Sequence, residues 1–176
     1  MISKDRAFLE ASLPDFKAYL LSDELFWPVT TRGHALPRLT IGGILLARAR
    51  LEAAGEQIES LVTGIDLVRS KWRVAWETKA SREFRMRIGL WRNFLEDYRR
   101  DPYQYAGVYR HEVRIRVIIH YLLAELSQTP PEGKLLDSMD VMINKYFISG
   151  DFIWDVKLMN GFPPNVFWFL YGTLRS

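Results

Sequence analysis

The residues best placed to do chemistry lie on two charged ladders set among apolar side chains. From Val113 to Leu126, helical spacing puts Val113, Val117, Tyr121 and Ala124 on one side and Ile115, Ile118, Ile119, Leu122 and Leu126 nearly opposite. Between them runs a polar stripe, Glu112, Arg116 and His120, at i, i+4 and i+8. In the preceding segment Glu83 and Arg87, again four apart, fall inside an apolar arc of Leu90, Trp91, Phe94 and Tyr98. A charge taken out of water is costly unless it is paired. The spacing therefore predicts Glu83–Arg87 and Glu112–Arg116 ion pairs in or beside the core, with His120 hydrogen-bonded into the same network. If these five residues line a pocket, it is a small-molecule site in which Glu112 and His120 act as base and acid. The plainer reading, an ion-pair network that fixes helix register, is preferred, because Glu/Arg pairs four apart are common on helices.

A second set of charges points outward. Arg85, Arg92 and Arg99 recur every seven residues on the side opposite the apolar stripe of their helix. They project as a line with steps of about 10 Å, able to grip the phosphates of a nucleic acid or an acidic protein surface. A solvated arginine face, partly neutralised by Glu96 and Asp97, is the simpler alternative. Aromatic residues do not interleave with the row, so base stacking on a single strand is not indicated. The net charge is only +3, but it is unevenly spread: Arg69 to Arg116 holds thirteen Lys/Arg against six Asp/Glu.

Other chemistries lack their signatures. The chain has no cysteine, which excludes disulfides, thiolate metal sites and a cysteine nucleophile. Its three histidines, His34, His111 and His120, form neither a His-Glu-x-x-His helix nor a Glu-x-x-His pair, so no metal is expected. Phosphate-cradling Gly-x-x-x-x-Gly-Lys, dinucleotide Gly-x-Gly-x-x-Gly and nucleophile-elbow Gly-x-Ser-x-Gly motifs are all missing. No cofactor is expected, and a non-catalytic role is preferred.

The elements that must position these residues are helical. Ile44, Leu51, Ile58, Ile65, Trp72 and Lys79 recur in sevens, with Ala47, Ala54, Leu61, Val68 and Ala75 three residues further on. That pattern, uninterrupted by proline, predicts one long amphipathic helix over about 40–80. Its apolar phase changes near 77–83, where it either bends and continues to about 100 or restarts at Ser81. Asp101-Pro102 opens a further helix, and Pro130-Pro131 separates it from one carrying Leu135, Leu136, Met139, Met142 and Ile143. Aromatic-rich segments at 22–39 and 145–176 read as irregular, pinned to the bundle by clusters such as Phe26-Trp27, Phe152-Ile153-Trp154 and Phe167-Trp168. The expectation is an all-α multi-helix bundle forming a single domain over 1–176.

No apolar stretch reaches 18 uncharged residues, and the N-terminus lacks a signal-peptide core, so a cytoplasmic protein with no membrane association is expected. The preferred function is a helical protein–protein interaction or scaffold protein that self-associates through Leu51, Ile58, Leu61 and Ile65 on the heptad face. Second comes nucleic-acid or acidic-partner binding through Arg85, Arg92 and Arg99. Third is the pocket around Glu83, Arg87, Glu112, Arg116 and His120.

Overall fold

The computed structural model describes residues 2–29 and 36–176, and among them it contains eight α-helices and one small sheet. His34 and the middle of the segment read as irregular at 22–39 lie outside the described residues. The expected all-α, multi-helix architecture is present, with one long helix in it.

That helix is not where the heptads place it. After α1 (Ile2–Ser12) and α2 (Phe16–Leu21), Thr40 starts α3 (Ile41–Ala53), its hydroxyl oxygen accepting the Gly43 N–H at 2.9 Å. Helix α3 then stops after four turns. Gly55 adopts φ +73, and the Gly55 and Glu56 N–H groups turn back onto the Glu52 and Leu51 carbonyls, both at 3.0 Å. This pair of bonds is a Schellman C-cap, which glycine enters without a Cβ penalty. Helix α4 (Glu59–Lys71) resumes the apolar pattern, and Trp72, at φ −116 and ψ 39, breaks it again. The long helix is α5 (Arg73–Arg100), which spans about 42 Å. It runs without interruption through 77–83.

The break at Trp72 re-aims the chain. Trp76 enters the core completely and donates its indole N–H to Glu125 at 2.9 Å. Trp72 itself stays half-buried between the ammonium groups of Lys17 and Lys71. The heptad face, split between α3 and α4, is buried within the chain. Leu51, Ile58, Leu61 and Ile65 are 0%, 4%, 9% and 2% exposed, inside the core of their own chain.

Helix α5 buries Trp76, Ala80, Phe84, Ile88, Trp91, Leu95 and Tyr98 along one stripe. After a short α6 (Pro102–Tyr105), capped by Asp101 on the Gln104 N–H, α7 (Tyr109–Ala124) returns against α5 and also packs on α3. Apolar residues on two faces of α7 are buried, which makes it the central helix. Helix α8 (Gly133–Tyr146) leads into β1 (Phe147–Phe152), which pairs antiparallel with β2 (Tyr171–Leu174). Between the strands the chain makes short 3-10 turns and lies on the helices.

The tail is pinned by polar tips of aromatic side chains. The Tyr109 hydroxyl donates to the Phe169 carbonyl at 2.7 Å, Tyr98 to Arg175 at 2.7 Å, and the Trp154 indole to Arg110 at 3.2 Å. Their rings remain in one apolar cluster that runs from Phe8 to Leu174. Among the described residues no helix is long and apolar enough to cross a membrane.

Two glycines with empty space around them have opposite roles. Neither Gly55 nor Gly89 would meet a heavy atom within 4 Å on gaining a Cβ. Gly55→Ala forces alanine into the left-handed region and is expected to destabilise the fold by about 1–2 kcal/mol. Gly89→Ala, inside α5, is expected to stabilise it by about 0.5–1 kcal/mol. Urea denaturation of the two variants checks the signs.

Candidate functional site

The helices meet at Glu83. Its side chain has no exposed surface, yet it accepts three hydrogen bonds. One comes from the Gly42 N–H at 2.8 Å, in the first turn of α3; two come from Arg87, at 3.1 and 3.0 Å. An acidic group at a helix N-terminus satisfies an orphan N–H and meets the positive end of the helix dipole. The approach requires glycine: a Cβ on Gly42 would lie 2.6 Å from a Glu83 oxygen and collide with the Ile118 side chain. The expected Glu83–Arg87 pair is therefore present, and it plugs the α3 N-terminus.

The rest of the expected five-residue network is arranged differently. Glu112 makes no ion pair among the described residues, and Arg116 reaches instead to Asp140 on α8, with two bonds of 2.9 and 2.7 Å. The fork geometry favours that partner, because each Asp140 oxygen engages a separate guanidinium N–H. Arg116 also lies over the Phe169 ring, 4.6 Å from its centroid. His120 packs edge-on to Phe167 at 4.8 Å and to Tyr121 at 5.5 Å, with no hydrogen bond into the ion pairs. Burial, helped by the nearby Arg116 charge, pushes the His120 imidazole below its ordinary pKa. Arg116 and His120 thus anchor α8 and the tail, while Glu83 and Arg87 join α5 to α3. They do not line one pocket.

A cleft opens on the other side of the Glu83 junction. It encloses about 880 Å³ between α1, the segment at 36–40, α3, α7 and the tail. Among the described residues, five arginines from four elements face it: Arg38, Arg50 on α3, Arg87 on α5, and Arg110 and Arg114 on α7. His111 adds a sixth basic side chain, and Asp5 and Asp155 are the acidic residues of the lining. Phe8, Phe26, Leu46, Ile118 and Trp154 supply its apolar parts. Of Glu83, Arg87, Glu112, Arg116 and His120, which the sequence singles out for a polar pocket, Arg87 alone is among its described lining residues.

The cleft's charges are unevenly satisfied. Arg87 is held by Glu83, and Arg50 lies 3.7 Å from Asp5. Arg38, Arg110 and Arg114 have no carboxylate within 4 Å among the described residues. Arg50 lies over Trp154, its guanidinium carbon 4.8 Å from the ring centroid. Burial lowers the Arg50 pKa, and the Arg114 charge lowers it further against the pull of Asp5. Burial likewise lifts the Asp5 carboxyl above its usual value. The Nε of Arg50 and one oxygen of Asp5 are buried without a partner.

The outward row is less available. Arg85 lies 3.5 Å from Glu132 and Arg92 lies 3.7 Å from Glu96, both in exposed positions, and Arg99 is exposed. None of the three lines the cleft. Among the described residues no three His, Asp or Glu side chains are grouped to hold a metal ion.

Two outcomes follow from this geometry. Glu83→Ala leaves Arg87 and the α3 N–H unpaired in the core, and a loss of about 3–5 kcal/mol is expected in denaturant titrations. His120 has a depressed folded-state pKa, so its contribution is fully present above the free value of about 6.5 and is lost as pH falls through the folded value. The wild type is therefore expected to lose stability between pH 7 and pH 5 more steeply than His120→Phe. Thermal melts across that range test the difference.

Compared with protein-family models, curated proteins and solved structures, the chain matches none of them.

Proposed function

We propose that this chain is a binding protein for an anionic ligand held in the cleft between α1, α3, α7 and the tail. One observation carries the reading: among the described residues, five arginines converge on a cavity with two acidic residues in its lining, and Arg38, Arg110 and Arg114 have no carboxylate within 4 Å. Arg110 and Arg114 are four apart on one helix, where like charges repel by about 0.2–0.5 kcal/mol per pair. The felt repulsion between Arg114 and Arg50 adds to that cost. A ligand with negative charge turns those repulsions into charge-assisted hydrogen bonds, which are about twice as strong as neutral ones.

The first candidate mode at the sequence level, self-association on the heptad face, has less in its favour because Leu51, Ile58, Leu61 and Ile65 are buried within the chain. The Arg85, Arg92 and Arg99 row serves as the control, since it is also basic and none of the three lines the cleft.

Inorganic pyrophosphate is the probe. It is expected to bind by calorimetry, to raise the melting temperature by mass action, and to weaken with added salt. Arg110→Ala with Arg114→Ala should weaken it by about tenfold or more, since each charged hydrogen bond contributes about 1.5–3 kcal/mol. Arg85→Ala, Arg92→Ala and Arg99→Ala together should leave it unchanged. Binding that is indifferent to the α7 pair, or lost with the α5 row, overturns the assignment.

A further inference from the structure

We infer that the ligand of this cleft is a nucleoside diphosphate, with its phosphates on the α7 arginines and its base stacked on the guanidinium of Arg50. The inference rests on the anion-binding reading above and adds three features of the lining that a bare anion does not use.

The first is the platform. Arg50 lies on Trp154 at 4.8 Å, and Trp154 is itself fixed by its indole bond to the Arg110 carbonyl and by Phe162 against its edge at 5.4 Å. A guanidinium stacked on indole presents its second face as a flat, charged surface, the arrangement on which planar π-systems settle. Asp5 lies 3.7 Å from one terminal nitrogen of Arg50. Phe26, half-buried, adds an aromatic wall to the same cavity.

The second is the pair of carboxylates. A ligand that is only negative would be repelled by Asp5 and Asp155, which share the lining with the arginines. A nucleotide offers both signs of partner: phosphate oxygens for arginine, and ribose hydroxyls and base N–H groups for carboxylates. Asp155 is exposed and uses one oxygen on the Lys157 N–H at 3.1 Å, so its other oxygen faces solvent and can accept.

The third is size. The cavity, about 880 Å³, falls in the range of small-molecule sites, roughly 300–1,000 Å³. A nucleic-acid strand needs the basic surface to continue as a groove. The other arginine row of α5 does not continue it, because Arg85 and Arg92 stand beside Glu132 and Glu96 and none of that row lines the cavity.

The experiment compares three probes on the full chain by calorimetry: ADP, inorganic pyrophosphate, and geranyl diphosphate, whose body is apolar but neither planar nor rich in donors. ADP is expected to bind about tenfold or more tightly than pyrophosphate, the increment of one stacked base. Arg50→Lys keeps the charge but removes the flat surface, so it should lower ADP affinity more than pyrophosphate affinity and draw the two together. Circular dichroism of that variant confirms that it folds. Equal binding of ADP and pyrophosphate removes the nucleotide and leaves the anion site standing. Geranyl diphosphate binding more tightly than ADP also overturns the inference, in favour of an aliphatic body. Failure of all three probes removes the anion reading itself.

Discussion

The Glu83 carboxylate, sealed from solvent and bonded to Gly42 and Arg87, is the joint on which the three central helices depend. Burying such a group is unfavourable unless its acceptor capacity is filled, and here α5 supplies the carboxylate, α3 an N–H and the next turn of α5 a guanidinium. Each contribution restricts the others. The N–H bond holds the first turn of α3 against α5, and the close approach leaves room for nothing larger than glycine at position 42 beneath Ile118 of α7. The crossing of α3 with α5 and α7 therefore has little freedom. The cleft lies directly on this joint, with Arg87 as a shared member of both.

Because Glu83 occupies the α3 N-terminus, the dipole there is already answered, and an incoming anion has to be met by side chains. Four of the arginines that meet it stand on helices α3, α5 and α7. Trp154 illustrates the coupling: its indole N–H holds the Arg110 carbonyl at the start of α7, while its face carries Arg50 from α3. Any rearrangement of the tail would thus move two walls of the cleft together. The aromatic hydroxyls that fasten the tail to α5 and α7 in this way contribute to the site as well as to the fold.

Some of this was legible in the sequence, and the division follows range. Helical spacing identified an all-α bundle, a central α7 with two apolar faces, and the Glu83–Arg87 pair, because each of these is decided within one or two turns. The heptads from Ile44 to Lys79 were real as a record of burial, since Leu51, Ile58, Leu61 and Ile65 are all inside. They were misleading about continuity. An apolar repeat reports which side chains face a core, and it is insensitive to a glycine at φ +73 that closes one helix and lets the next keep the same stripe. The Arg116 partner was out of reach for a related reason: Asp140 is 24 residues away, and only packing of α8 brings it close. The cleft arginines come from four separate elements, so no spacing rule collects them. The excess of thirteen basic over six acidic residues between Arg69 and Arg116 was a partial signal, since Arg87, Arg110 and Arg114 fall within it.

The convergence of that charge on one cavity separates the cleft from the other ionic features of the molecule. Elsewhere several arginines are matched: Arg116 to Asp140, Arg69 and Arg73 to Glu125, Arg48 to Glu52 and Asp66. These pairs draw distant segments together and leave no site. In the cleft Arg38, Arg110 and Arg114 have no carboxylate within 4 Å among the described residues, and Arg50 Nε and an oxygen of Asp5 are buried without a partner, as are Arg69 Nε and one Arg116 nitrogen elsewhere. Such unsatisfied groups lower stability, and folds keep them where another component completes them. Ligand binding to the native state then adds stability by mass action. The same arrangement that costs the empty chain some free energy becomes the source of affinity, provided that the helices on which the arginines stand do not yield first. The buried Glu83 joint resists that yielding.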